Sequence, residues 1–145
     1  MTKNPGEYIA AFLFGFFAYA FFEIAVRGYT HWTMGILGGI SFCVIGSMEH
    51  SLDAPAAVRA LFAAVFVTAS EFTVGVFDNL IMGWRVWDYS DRPFNLLGQI
   101  CPQFSAVWYL LCFAAVLIAK RFCRQYQMPA VRETEAVTER RFAAP

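Results

Sequence analysis

The sequence predicts an all-α membrane protein: a bundle of about four transmembrane helices with a structured outer loop between helices three and four. Three observations carry this reading. Hydrophobic residues make up 59% of the 145 residues and charged residues only 15%, where an average soluble chain carries about 25% charged. The apolar residues gather in four long runs joined by short polar stretches. The ~10-residue alternating segments of a membrane β-barrel are missing, which leaves helices to satisfy the backbone inside lipid. Zero formal net charge and the lack of a basic face argue against a nucleic-acid partner.

The first run is Tyr8 to Val26. Asn4 is placed to cap it, Pro5 suits the first helical position, and Glu7 stands where a capping box wants a carboxylate. From Pro5 to Val26 a helix rises about 33 Å, one hydrocarbon thickness. The run is too long and too aromatic for a cleaved signal peptide. The second run, Trp32 to Met48, holds Gly35, Gly38, Gly39 and Gly46. Gly35 and Gly39 form a G-x-x-x-G pair, which predicts a close helix-packing surface. The third run extends from Ala56 to about Phe77, with Arg59 near its start and Glu71 inside. A polar and aromatic segment, 78–95, follows. The fourth run covers Leu96 to Ala119 and ends in Lys120, Arg121 and Arg124. Asn95 is a candidate cap for it. Alternatively Pro102 starts the helix and leaves 96–101 as irregular or re-entrant backbone. Residues 1–126 form the transmembrane bundle, and 127–145 read as a flexible cytoplasmic tail or a weakly amphipathic end.

Sidedness follows from basic residues. With four helices, Lys3, Arg59, Lys120, Arg121, Arg124, Arg132, Arg140 and Arg141 share one side, and Arg27, Arg85 and Arg92 the other. This places both termini in the cytoplasm of a cell (inner) membrane and turns loop 78–95 outward.

A charge inside a membrane span costs about 2.5–3.5 kcal/mol on insertion scales, so it normally faces the bundle interior and has a partner. Glu23 and Arg27 stand four apart, acid first, the favourable order for a helical pair. Thr68, Glu71, Gly75 and Asp78 fall on one helical stripe. Gln99 and Gln103 form a similar stripe if helix four begins early. Arg27 is the expected partner of Glu71. The loop contributes Trp87, Asp88, Tyr89, Asp91, Arg92 and Asn95, rich in side chains that bond to backbone. All of these lie on the expected outer half and outline a polar, outward-facing pocket. The bland counterpart is a structural clamp, with Trp and Tyr acting as interface anchors.

No metal or cofactor site is expected. Cys43, Cys101, Cys112 and Cys123 have no ligand spacing and read as small buried hydrophobes. His31 and His50 are each isolated. No phosphate-cradling loop, G-x-S-x-G or H-E-x-x-H occurs, so no catalytic residue is assigned.

At Trp87–Cys101 the sequence WDYSDRPFNLLGQIC, with Glu71 sixteen residues upstream, resembles the family called Putative ABC-transporter type IV (CmpB-like). Trp87, Asp88, Tyr89, Ser90, Pro93, Phe94, Asn95, Gly98, Ile100 and Cys101 match its pattern, as do Glu71 and, in the first helix, Glu23. Gln99 stands where that pattern has Arg. The resemblance covers about Phe21 to Val116 and implies a transport-associated multipass protein, permease-like or an accessory subunit. Four short helices make a thin pore, so a homo-oligomer or a membrane partner subunit is expected within the bilayer. Two other classes remain: a membrane-embedded enzyme at the outer leaflet using Glu71 and Asp88 as an acid–base pair, and a purely structural subunit.

Overall fold

The computed structural model describes residues 5–142. Four α-helices are present: α1 (Pro5–Arg27), α2 (Trp32–Ser51), α3 (Ala56–Gly75) and α4 (Pro102–Phe142), with a π-helical turn, Val76–Ile81, continuing α3. Four segments are long and apolar enough to cross a membrane: Pro5–Arg27, Trp32–Glu49, Ala56–Ile81 and Pro102–Arg124. Consecutive spans run in opposite directions, so the α1–α2 connection and the long loop between α3 and α4 share one end, called the loop side below.

Helix α2 is the hub, packing on α1, α3 and α4, while α3 packs on α4. The α1–α2 seam depends on missing side chains. A Cβ on Gly15 would lie 2.5 Å from the Gly38 carbonyl oxygen, and one on Gly38 would lie 2.7 Å from that of Gly15. Gly35 and Gly39 receive the Phe16 and Phe12 rings. The glycine surface expected from the sequence is therefore a packing surface, and α1 of the same chain occupies it. On the other side of the bundle Ala60, Ala63, Ala64 and Val67 of α3 meet Trp108, Cys112, Val116 and Ala119 of α4. Small residues on α3 let the two helices close, as membrane packing favours. Phe17, Phe21, Leu61, Phe62 and Leu110 face outward and are exposed, as lipid-facing side chains are.

The structure sharpens the ends of the elements. Helix three does not stop at Phe77: its last turn widens, with Met82 N donating to Phe77 O at 2.9 Å, and carries the chain through Ile81. Of the two starts the sequence offered for helix four, the structure takes Pro102 and not Asn95. The missing N–H of proline is harmless at a first helical position, and 96–101 is irregular, with one bridge between Leu96 and Ile100. The stretch from 127, read as a flexible tail or a weakly amphipathic end, has helical backbone through Phe142. Residues 143–145 of that tail and the expected cap Asn4 lie outside the described residues. On the tail side Arg59, 8% exposed, pairs with Glu49 across the α2–α3 turn.

The seam predicts the effect of a single methyl group. Gly38→Ala should destabilise the protein by about 1–3 kcal/mol, since overpacking forces backbones apart. Ala25→Leu, on the exposed face of α1, should stay within ~0.5 kcal/mol. Thermal unfolding in detergent reads both; equal midpoints for the two variants contradict the seam.

Candidate functional site

The loop-side half gathers buried polar groups from every helix. At the end of α1, Glu23 is 2% exposed. One of its oxygens lies 2.8 Å from Arg27 Nη2, and the other accepts from the Thr30 hydroxyl at 2.6 Å. Asp78, fully buried in the π turn, accepts from the Thr33 hydroxyl at 2.6 Å. His31 Nδ1 lies 2.7 Å from the same hydroxyl. Because Thr33 gives its one hydrogen to Asp78, His31 Nδ1 is the donor to Thr33. The π turn is why Asp78 and Asn79 do different work: one points into the bundle, and the next meets the loop.

Glu71 lies deeper. It is 1% exposed, and its Oε2 accepts from the Trp108 indole at 2.6 Å. Tyr19 stacks on that indole with ring centroids 5.3 Å apart. The Glu71 Oε1 and Asp78 Oδ1 atoms are buried without a hydrogen-bond partner.

The loop closes over these groups through alternation. Trp87 and Tyr89 turn inward and are buried, whereas Asp88 and Ser90 turn out. The Trp87 indole donates to Gln99 O at 2.9 Å, and Asn79 Nδ2 donates to Gln99 Oε1 at 2.7 Å. Gln99 Nε2 returns to Leu97 O at 2.8 Å. Gly75 makes room: a Cβ there would stand 2.6 Å from Gln99 Oε1 and 2.7 Å from the Trp87 ring. Asn79 Oδ1 accepts from Val86 N at 2.6 Å. Further out, Asn95 Nδ2 donates to Arg92 O at 2.8 Å and its Oδ1 accepts from Gly98 N at 2.9 Å. Gly98 adopts a φ of +68°, and a Cβ there would meet Asp88 Oδ1 at 2.8 Å. Ser90 donates to Asp88 through its hydroxyl and its amide, which holds the Asp88 carboxyl below its ordinary pKa. Burial, followed by the nearby Glu71 carboxylate, pushes the Tyr89 phenol well above its ordinary value.

Of the residues singled out from the sequence, Glu23, Arg27, Glu71, Asp78, Trp87, Tyr89 and Gln99 come together here. Asp88, Asp91, Arg92 and Gln103 are exposed, and Asn95 is spent on the loop itself. Gln99 precedes α4 and is buried, while Gln103 sits in its exposed first turn, so the two share no face. Arg27 serves Glu23, and Glu71 takes the Trp108 indole, so the expected Arg27–Glu71 pair is replaced. Sequence reasoning missed Thr30, Thr33, Asn79, Tyr19 and Trp108 as partners. Asn79 adjoins Asp78, which was a usable hint; Trp108 lies thirty-seven residues from Glu71, and no local spacing links them.

Three buried carboxylates therefore lie on the loop side, one paired with Arg27, one on the Trp108 indole and one on Thr33 with His31 3.9 Å away. Such a site can accept a proton or a cationic group. Among the described residues no cluster of three or more His, Cys, Asp or Glu is placed to hold a metal ion.

Fold and site together define a polytopic helical membrane protein. The model of the family Putative ABC-transporter type IV matches residues 5–139, and the chain belongs to that family. Comparison with curated proteins gave no match, and comparison with solved structures gave none.

The Glu71–Trp108 bond predicts strong coupling between two distant residues. Glu71→Ala and Trp108→Phe should each destabilise by about 1–3 kcal/mol, the cost of leaving a buried polar group unpaired. The double change should fall short of their sum by about 0.5–3 kcal/mol. Strict additivity in detergent unfolding sinks the assignment.

Proposed function

We propose that the chain is a transport-associated membrane subunit, permease-like or accessory, whose working site is the polar cluster beneath the loop. The supporting observation is the burial of Glu23, Glu71 and Asp78, of which only Glu23 is paired with an arginine and Asp78 has His31 3.9 Å away, with oxygens of Glu71 and Asp78 left unpartnered. Buried acids in a membrane protein mark ion, proton or substrate sites by default. The excess of acid selects a cationic ligand or a proton. In this reading the site opens outward when the loop moves. The family's name is consistent with transport.

Native mass spectrometry from membranes tests this. The wild type should carry a small cationic ligand or a partner subunit, and Glu71→Gln or Asp78→Asn should lose it at nearly unchanged thermal midpoint. A bare protein whose variants lose only stability favours the structural clamp instead, a reading supported by the Trp108 and Arg27 contacts. The enzyme reading loses support, since Asp88 is exposed and tied to Ser90 while Glu71 is buried on Trp108.

The subunit is further proposed to sit in the inner membrane with both termini cytoplasmic, on the strength of eight basic residues against three. A homo-oligomer or a membrane partner would complete a pathway that four helices are too few to enclose. Single cysteines in 127–145 and in the loop, introduced on a background with Cys43, Cys101, Cys112 and Cys123 replaced, should react with impermeant reagents from opposite faces. Labelling of both from one face overturns this orientation.

A further inference from the structure

A short chain of hydrogen bonds runs from the loop-side surface to a buried acid. His31 closes the α1–α2 connection, just before α2 begins at Trp32. Its side chain is 27% exposed and packs beside Trp32 and Trp84, with ring centroids 5.6 and 5.0 Å away. Its Nε2 makes no hydrogen bond within the described residues and is not sealed as the buried unpartnered atoms are, so it meets solvent. On the inner side of the ring, Nδ1 lies 2.7 Å from the Thr33 hydroxyl. That hydroxyl donates to Asp78 Oδ2 at 2.6 Å. His31 Nδ1 and Asp78 Oδ2 are themselves 3.9 Å apart, beyond hydrogen-bond length. Thr33 therefore bridges them.

Burial selects what can travel this way. Asp78 has no exposed surface, so a cation with its own volume reaches it only when the loop moves. A proton needs no such space, because it passes along hydrogen bonds already made. Threonine can relay one, since its hydroxyl both donates and accepts. Imidazole is the side chain that ordinarily gains and loses a proton between about pH 5 and 8. The other charged groups of the loop side are engaged elsewhere. On α1, Glu23 takes Arg27 and Thr30. On α3, Glu71 takes the Trp108 indole. Arg85 of the loop is exposed. Tyr19 and Tyr89 add phenols, which ordinarily titrate only near pH 10. Helix α4 brings no charged residue between Pro102 and Ala119. Among the described residues, His31 is the base within ion-pair range of Asp78.

We propose that His31 and Thr33 load a proton from the loop-side water onto Asp78, so that the proton is the ligand of this part of the cluster. The inference rests on the polar cluster being the working site and names what that site takes up. A proton from water joins His31 at Nε2. The imidazolium then passes its Nδ1 hydrogen to Thr33 Oγ, as Thr33 passes its own hydrogen to Asp78 Oδ2. In this transfer one N–H and one O–H bond break and two O–H bonds form. His31 ends neutral with its hydrogen on Nε2, and Asp78 ends as a neutral carboxyl. The same steps in reverse release the proton when the bathing pH rises. The loop stays closed throughout.

The test follows the carboxyl stretch of protonated Asp78 by infrared difference spectroscopy on the purified full chain in detergent. The band is identified by its absence in Asp78→Asn. After a jump from about pH 8 to about pH 5, the range over which imidazole titrates, the band should appear in the wild type. Thr33→Val keeps the shape and removes the hydroxyl. It should slow the appearance about a hundredfold, the low end of what a positioned acid–base group contributes. Thr33→Ser restores the hydroxyl and should restore the rate. His31→Gln keeps a donor for Thr33 but cannot be protonated, and it should slow the appearance likewise; it also serves if Thr33→Val fails to fold. Wild-type rates in these two slowed variants overturn the relay and leave the cluster as a working site, since Asp78 still takes a proton. A wild type without the band overturns the proton as ligand. The cluster itself falls only when native mass spectrometry of the same sample also shows no cationic ligand and no partner.

Discussion

Glu71 sits inside a membrane-spanning helix, 1% exposed, with one oxygen on the Trp108 indole and the other bare. Keeping that carboxylate out of hydrocarbon constrains everything on the loop side. A charge facing lipid is expensive, so α3 must turn this stripe toward α4, and α4 must present an indole at the same level. Tyr19 then stacks on the indole from α1. Three helices are thereby registered around one side chain. Asp78 repeats the arrangement nearer the membrane surface, where Thr33 of α2 supplies the donor.

The loop completes the seal, and its construction is economical. Gln99 is used at three points: its backbone oxygen by the Trp87 indole, its amide oxygen by Asn79, and its amide nitrogen by Leu97. The loop is closed with a neutral amide. An amide both donates and accepts, so it can satisfy Asn79 and Leu97 together, which a guanidinium, having donors only, cannot. The price of this close fit is paid at Gly75, whose bare Cα lets Gln99 and Trp87 rest directly on α3.

Trp108 joins two parts of the bundle. Its N–H belongs to the polar cluster, and its ring stacks on Tyr19 and packs into the α3–α4 core. Tyr19 borders both regions with it, so a change that moved either ring would disturb the bond to Glu71.

Composition and run length alone were enough to determine a helical membrane protein with four spans, because burial in lipid leaves the backbone few alternatives. The stripe of Glu71, Gly75 and Asp78 was equally legible, since a helix repeats every 3.6 residues whatever surrounds it. Local chemistry also identified a structured loop, through the aromatic and turn-forming residues around Pro93; that Trp87 and Tyr89 turn inward came from the structure. Partners were another matter. Trp108 for Glu71, Thr33 for Asp78 and α1 for the glycine face of α2 are pairings between segments distant in sequence, and periodicity carries no information about which faces meet. The π turn and the start of α4 at Pro102 were likewise settled by packing: a wide turn and an irregular 96–101 are tolerated there because Asn79, Gln99 and Trp87 satisfy the backbone and one another. Tertiary structure decided these, since each depends on atoms that only the folded bundle brings within hydrogen-bonding distance.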